Sequence, residues 1–482
     1  MRRKLFLAGG FREGPTQVEI RSPFSGDVVT VADQADAALM EEALTAAKSA
    51  AKPFREVSRY TRSRLLQKMA KWIALRRHDF VSAIVDEAGK PLTLAEAEVT
   101  RALSTFAIGA DEAKRYGGEL FPVDIEASGR AYDMGYSMLV PRGPVLAITP
   151  FNFPLNLVAH KVVPALAVGA PILVKPAPQT PGAVALLAEV FEKALEEVAD
   201  EREAVPSGAF QAVSCSNEAA SIAVQDGRIA TLSFTGSAPV GWMLQTMAKG
   251  KRVLLELGGN ASVIVHKDAD LVRAAQRCAF GAFAYAGQVC ISVQNILVHR
   301  DVYQPFRELF LDELRRVRSG DPRHKETLVG PLINEAAADR ILAWIEEAKQ
   351  GGASVVSFGE RERNTLPPML IEGTPRACRL SSEEAFGPVA LLAPYDDIEA
   401  AIETVNASRY GLQAGVFTDS NAVVRRVIAD IDAGGILINE VPTFRADHMP
   451  YGGVKESGLG REGVRYAMEE YSERKTVIAW KG

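Results

Sequence analysis

The feature that most constrains this chain is a recurrence that begins at residue 145. Short apolar, β-prone runs alternate with longer helical stretches. Residues 145–148 read as a buried strand, 155–166 as a helix, 171–174 as a strand and 183–195 as a helix. Two further strands are expected at 210–213 and 230–234. Continuous apolar strands joined by helix-length crossovers are what a parallel sheet covered on both faces requires. Pro164 lacks a backbone donor and weakens the helix around it without abolishing it. The same alternation resumes later. Strands at 262–265 and 296–298 flank a long segment, 271–286, and helical patterns follow at 306–317 and 336–348. The runs 389–392, 414–417 and 435–438 add strands. No short-period repeat or low-complexity linker separates the two stretches, so domains interleaved in sequence are expected.

The flanks read differently. The first 30 residues suggest short strands and turns around Gly9-Gly10 and Pro23-Phe24-Ser25-Gly26. Residues 36–88 are helical in pattern, with Leu65, Leu66, Met69 and Ile73 at helical spacing. Gly89 is the expected stop, and Pro91 opens a helix toward Tyr116. Residues 121–139 alternate around Ser128-Gly129, as a hairpin would. That ribbon suits either a local surface hairpin or a contact with a second subunit.

At 482 residues, two or three domains are the default. A net charge of -5, with both signs spread along the chain, argues against a dedicated nucleic-acid surface. The basic run 315–325 reads as a solvated helix end and turn. Four cysteines, Cys215, Cys278, Cys290 and Cys378, lie too far apart for a disulfide framework or a structural zinc site, and no metal is expected. The basic start, Met1 to Lys4, precedes too short an apolar stretch for a signal peptide or membrane span. A cytoplasmic location is expected.

The chemistry-bearing segments come in a fixed order. They are Pro150-Phe151-Asn152-Phe153-Pro154, Lys175-Pro176, Phe234-Thr235-Gly236-Ser237, Glu256-Leu257-Gly258-Gly259-Asn260, Gly287-Gln288-Val289-Cys290, Glu384-Ala385-Phe386-Gly387-Pro388 and Pro450 to Gly458. In isolation each has a bland alternative. Cys290 could be an inert buried thiol, Asn152 a turn residue and Glu256 a salt-bridge partner. Taken together, the set resembles the aldehyde dehydrogenase superfamily from Ser22 to Lys481, closest to its lactaldehyde, non-phosphorylating glyceraldehyde-3-phosphate and succinate-semialdehyde dehydrogenase-like members.

The resemblance implies an α/β fold with a Rossmann-like cofactor domain, a catalytic α/β domain and a small β oligomerisation element. On that pattern the cofactor domain covers 1–120 and 140–253, and the catalytic domain 254–448. The oligomerisation element covers 121–139 and 466–482, with 449–465 connecting. A homodimer or homotetramer follows from the same resemblance. It also implies that Cys290 is the nucleophile, through a thiohemiacetal and a thioester. Asn152 and the Cys290 backbone N–H would hold the developing oxyanion. Glu256 would activate water, so the product is expected to be a carboxylic acid rather than a coenzyme A ester.

No Gly-x-Gly-x-x-Gly fingerprint is present. The resemblance instead implies that NAD or NADP is bound by Thr149, Phe151, Lys175, Gly236, Ser237, Gly241, Glu384 and Phe386. Pro178 stands where strongly NAD-preferring relatives often carry the glutamate of Lys-Pro-x-Glu. NADP therefore stays open, with NAD slightly favoured. For substrate contacts the possible counterparts are Arg101, His160 and Arg445, whose alternatives are surface contact, satisfied packing and a solvated loop charge. Val289, before the nucleophile, is apolar and argues against the most highly charged aldehydes. A small polar aldehyde such as lactaldehyde is the expected substrate. The other readings are a semialdehyde, phosphorylated-aldehyde or coenzyme A-acylating dehydrogenase, and a non-catalytic structural relative.

Overall fold

The computed structural model of the protein describes residues 1–199 and 203–481. The first recurrence forms five parallel strands in the spatial order Arg252–Glu256, Thr231–Thr235, Val145–Ile148, Ile172–Lys175 and Phe210–Ala212. The chain starts in the middle, steps outward twice, then returns to the other side of its first strand. That reversal opens a crevice at the carboxyl ends of the strands, the usual place for a ligand in a doubly wound sheet. This sheet is Rossmann-like. Its two edges are closed by antiparallel pieces from the ends of the chain, Leu5–Leu7 against Phe210–Ala212 and Gly458–Leu459 against Arg252–Glu256.

Helix Asn156–Val168 is buried at every position, Pro164 included. It is buried all round because the sheet covers one side and helix Leu92–Arg115 another, and its polar members Asn156, His160 and Lys161 find buried partners. Gly169, at φ 84°, ends it. The helical stretch at 36–88 is three helices, Ala37–Glu56, Arg59–Leu75 and Arg77–Ala88. Ser58 caps the second by accepting from the Thr61 N–H, and Gly89, at φ 62°, stops the third.

The second recurrence builds a seven-stranded sheet in the order Ser354–Ser357, Met369–Glu372, Val389–Tyr395, Asn295–His299, Ser262–Val265, Gln413–Phe417 and Gly435–Ile438. All pairings are parallel except that of the first strand. The segment expected at 271–286 is a helix only over Leu271–Phe283. Tyr285, Ala286 and Gly287 then adopt φ values of 55°, 53° and 70°. Three consecutive left-handed residues, two of them not glycine, turn the chain sharply just before Cys290.

The ribbon is a three-stranded antiparallel sheet, with Tyr132–Pro141 between Ser472–Trp480 and Leu120–Phe121. Ser128-Gly129 does not make a tight hairpin turn. These residues lie in a short 3-10 helix, Ala127–Ala131, where Gly129 presses against the Val123 carbonyl too closely for a side chain. Among the described residues no helix is long and apolar enough to cross a membrane, and no acidic, His or Cys group is arranged to hold a metal ion.

Candidate active site

A cavity of ≈ 620 Å³ opens where the carboxyl ends of the first sheet face the second. Its wall carries Thr149, Phe151 and Asn152 beyond the Val145–Ile148 strand, and Lys175 and Pro178 beyond Ile172–Lys175. Gly236 and Ser237 follow Thr231–Thr235, and Glu256 ends its own strand. Cys290, Glu384 and Phe386 reach the same space from the second sheet's loops. The fold thus gathers eleven of the expected residues on one wall.

Four expected residues do not line that wall. Gly241 lies inside helix Ala238–Met247, where an added Cβ would sit 2.3 Å from Leu257 Cδ2. It lets the helix approach Leu257 and does not line the cavity. Arg101 and His160 converge on Asp447 instead of facing the cavity. Arg101 Nη2 donates to Asp447 Oδ1 at 2.7 Å, and Asn156 Nδ2 donates to the same oxygen at 3.1 Å. Burial pushes His160 down to about 4, so the ring is neutral at pH 7. With Asp447 ionised, its Nε2–H donates to Asp447 Oδ1 at 3.0 Å, and Nδ1 is buried without a partner. Arg445 is not a solvated loop charge. Its side chain is 5% exposed, it pairs with Glu462 at 3.2 Å, and its guanidinium lies 3.7 Å from the centre of the Tyr451 ring.

The Cys290 turn is held from several sides. Its Sγ lies 3.2 Å from Tyr451 Oη. Burial pushes the thiol up to about 11 against the opposing pull of Tyr451 and Arg445. Gln288, two residues earlier, accepts from Ile333 N–H at 2.9 Å through its side chain, and its backbone carbonyl accepts from Asn152 Nδ2 at 2.9 Å. One Asn152 amide hydrogen is thereby committed and the other is available. Gly287 nearly touches the Glu384 loop: a Cβ there would lie 2.2 Å from the Gly387 carbonyl oxygen.

The Asn152 turn rests on a buried ion pair. Lys90 Nζ lies 2.5 Å from Glu98 Oε2 and donates to the Asn152 carbonyl at 2.8 Å. It also sits 3.4 Å from the Phe153 ring centre and 4.8 Å from that of Tyr285. Glu98 accepts from the Leu155 and Asn156 N–H groups at the start of the following helix. One pair therefore links the asparagine turn to the left-handed segment before the cysteine.

Glu256 is 4% exposed, and its Oε2 has no partner. Burial, reinforced by the Glu462 carboxylate, pushes its carboxyl well above the usual range. Burial acts on Glu462 too, but Lys161 at 2.8 Å and Arg445 outweigh it and take that carboxyl down to about 2. Gly452 leaves room for Glu256, since a Cβ would fall 2.8 Å from its Oε1. Ser457, from the same late motif, pins Gly258 by donating to its carbonyl at 2.8 Å.

The remaining wall fits a dinucleotide. Ser237 caps helix Ala238–Met247 without using its side chain, so the hydroxyl and the first N–H groups are free to meet a pyrophosphate. Thr235 Oγ1 is buried without a partner. Lys175 is buried, and desolvation lowers its ammonium from the ordinary value. Glu384 accepts from the Gly259 N–H at 3.2 Å, and burial carries its carboxyl up to about 7. Phe386, at φ 49°, sets its ring edge-on to Phe151 at 5.9 Å. Arg340 braces that loop by donating to the Ala385 carbonyl at 2.7 Å.

Nothing in the sequence alone marks roles for Tyr451, Lys161, Glu462, Lys90 and Glu98. Tyr451 lay within a noted motif, where an aromatic between proline and two glycines was the available signal. The other four are ordinary helix or loop charges until the fold brings them together.

The model of the aldehyde dehydrogenase family matches residues 11–477. A 3-sulfolactaldehyde dehydrogenase from Priestia aryabhattai is 36% identical over 475 residues, 98% of this chain and 97% of the relative. A lactaldehyde dehydrogenase from Methanococcus maripaludis is 37% identical over 415 residues, 86% of each. Among solved structures, aldehyde dehydrogenase 21 from Physcomitrella patens, in complex with the reaction product succinate, superposes with a TM-score of 0.95 at 36% identity. That match covers 99% of this chain and 98% of the moss protein. The glyceraldehyde-3-phosphate dehydrogenase of Methanocaldococcus jannaschii, complexed with NADP, gives 0.92 at 34% identity over 98% of this chain and 100% of its own.

Proposed function

The chain belongs to the aldehyde dehydrogenase family and is an NAD(P)-dependent aldehyde dehydrogenase, and from that premise we propose that it oxidises a small polar aldehyde, lactaldehyde or a near analogue, to its carboxylic acid. The observation that carries the chemistry is the convergence of Cys290, Asn152 and Glu256 on one cavity from three distant parts of the chain.

The Cys290 thiolate attacks the aldehyde carbon and forms a thiohemiacetal. The charge that develops on oxygen is met by the free Asn152 amide hydrogen and the Cys290 N–H. When bound, the nicotinamide supplies an acceptor for the hydrogen and electron pair that leave this carbon. What remains on Cys290 is a thioester. Glu256, as carboxylate, takes a proton from water as the water attacks, releasing the acid and the thiolate. Because its buried carboxyl holds its proton above the usual range, the competent base becomes more abundant as pH rises.

Thr149, Phe151, Lys175, Gly236, Ser237, Glu384 and Phe386 would hold the cofactor. Pro178 supplies no carboxylate against a 2′-phosphate, and Lys175 is the nearby cation, so both NAD and NADP are proposed to bind. The exposed edge of Ser472–Trp480, with Trp480 70% exposed, supports a homodimer or homotetramer through the ribbon.

A second substrate reading, an aldehyde carrying a carboxylate or sulfonate, rests on the relatives named for 3-sulfolactaldehyde and crystallised with succinate. The test is reduced-cofactor formation with lactaldehyde, 3-sulfolactaldehyde and succinate semialdehyde, each with NAD and NADP. Turnover with lactaldehyde, giving lactate and lost in Cys290→Ala, is expected. Turnover only with the anionic aldehydes would replace lactaldehyde by the second reading, and no turnover with any would sink both.

A further inference from the structure

We propose that Tyr451, with Arg445 stacked on its ring, is the positioning device that holds the Cys290 sulfur and favours its thiolate. This rests on the reading of Cys290 as nucleophile and adds a residue pair to it. The geometry is specific. The Tyr451 hydroxyl is 3.2 Å from Cys290 Sγ, and the Arg445 guanidinium is 3.7 Å from the centre of the same ring. Arg445 is itself fixed by Glu462, which is fixed by Lys161. The chain of contacts therefore runs from a buried charge cluster, through one aromatic ring, to the sulfur.

Direction follows from chemistry. A thiol is a weak donor and a weak acceptor, whereas a thiolate is a strong acceptor only. Burial pushes the Tyr451 phenol well above its ordinary value, so it keeps its proton across the working range and is the donor. A hydrogen bond to the charged form favours that form. A cation over the ring face withdraws electron density and strengthens the phenol as a donor. On ionisation the proton leaves Cys290 for water or for the Glu256 carboxylate, and Tyr451 retains its own. The groups facing the sulfur are Tyr451 and Arg445, which favour the thiolate, and Glu256 and Glu384, which oppose it. Burial works against the thiolate, and these two residues are the counterweight within the site.

The same contact orients the side chain. Cys290 and Asn152 line the same cavity, and a donor held against the sulfur limits the rotamers that the cysteine can take.

The test is alkylation of the full-length protein by iodoacetamide, followed at Cys290 by peptide mass spectrometry from pH 7 to pH 10. The other three cysteines are buried and serve as internal controls. Tyr451→Phe removes one oxygen and keeps the ring. It is expected to move the whole pH–rate curve to higher pH and to slow alkylation at pH 8 about tenfold, one pH unit being tenfold in thiolate. Arg445→Met, which keeps the stem, should shift the curve in the same direction. A curve unchanged in both variants would overturn the proposal, because a ring that only fills space would not move it. Faster alkylation of Tyr451→Phe at every pH would also overturn it, since access rather than ionisation would then be what the hydroxyl controls. The readout needs no aldehyde, so a failed substrate assignment leaves it intact.

Discussion

Replacing Lys90 by methionine tests whether a buried ion pair supports the oxyanion turn. The lysine is 1% exposed, and its ammonium bonds both Glu98 and the Asn152 carbonyl. Methionine fills similar volume but strands the Glu98 carboxylate in a dry site. Breaking a buried pair from one side costs about 3–5 kcal/mol. The protein has one escape, which is to protonate the stranded carboxyl. At pH 7.5 that costs about 4 kcal/mol for a carboxyl of ordinary acidity, and about 1.4 kcal/mol less for each pH unit removed. The lost bond to the Asn152 carbonyl adds about 1 kcal/mol. The expected penalty is therefore about 5 kcal/mol at pH 7.5 and about 2–3 kcal/mol at pH 5.5. Urea midpoints of both proteins at the two pH values, converted with the slopes measured alongside, give the difference. Lys90→Met combined with Glu98→Gln should recover much of the loss, because the neutral amide strands no charge and its oxygen still accepts from the Leu155 and Asn156 N–H groups. A penalty below about 1 kcal/mol at pH 7.5, or one independent of pH, would refute the argument.

Three further outcomes are expected. Gly287→Ala forces a side chain onto a φ of 70° and against the Gly387 oxygen at 2.2 Å; about 2–4 kcal/mol of local strain should push the cysteine turn off the Glu384 loop. Turnover should then fall more than thermal stability, and unchanged turnover would show that the approach is not close. Glu384 is carried up to about 7, so its carboxylate forms as pH rises through that value. Cofactor affinity by titration calorimetry should tighten from pH 6 to pH 8 in the parent and stay flat in Glu384→Gln. Glu87 is buried against Thr30 and Gly182 and is likewise raised to about 7. An acid whose folded value is raised binds more protons folded than unfolded between about 4.5 and about 7, so its contribution to stability falls as pH rises through that window, by about 3 kcal/mol. Glu87→Gln should lack that decline in chemical denaturation, and a decline equal to the parent's would assign it to other groups.

The strand ends were legible because each apolar run stops at a polar residue that a parallel sheet must present at its carboxyl edge. Thr149, Lys175 and Thr235 all follow that rule. Cys290 and Glu256 stand out in sequence only through their motifs, and neither spacing nor periodicity predicts that they line one cavity. Gly241 packs against Leu257 and does not line the cavity, and a glycine after Gly236-Ser237 looks the same in sequence whether it meets a phosphate or a neighbouring side chain. Ser128-Gly129 suggested a tight turn, but the contact between Gly129 and the Val123 carbonyl is tertiary and leaves no local signature. Arg101 and His160 looked like separate substrate contacts until Asp447, hundreds of residues later, was seen to hold both. Charges paired across helices carry no sequence period, which is why the Lys161–Glu462–Arg445 cluster could not be read in advance.

The central claim is that Cys290 carries an acyl group which Glu256 then releases to water. Glu256→Gln should separate the two halves. With cofactor and the aldehyde the parent oxidises fastest, intact-protein mass spectrometry should find one acyl adduct per chain, mapped to Cys290, after a single burst of reduced cofactor. Steady turnover at the parental rate, or an adduct on any residue other than Cys290, would contradict the account.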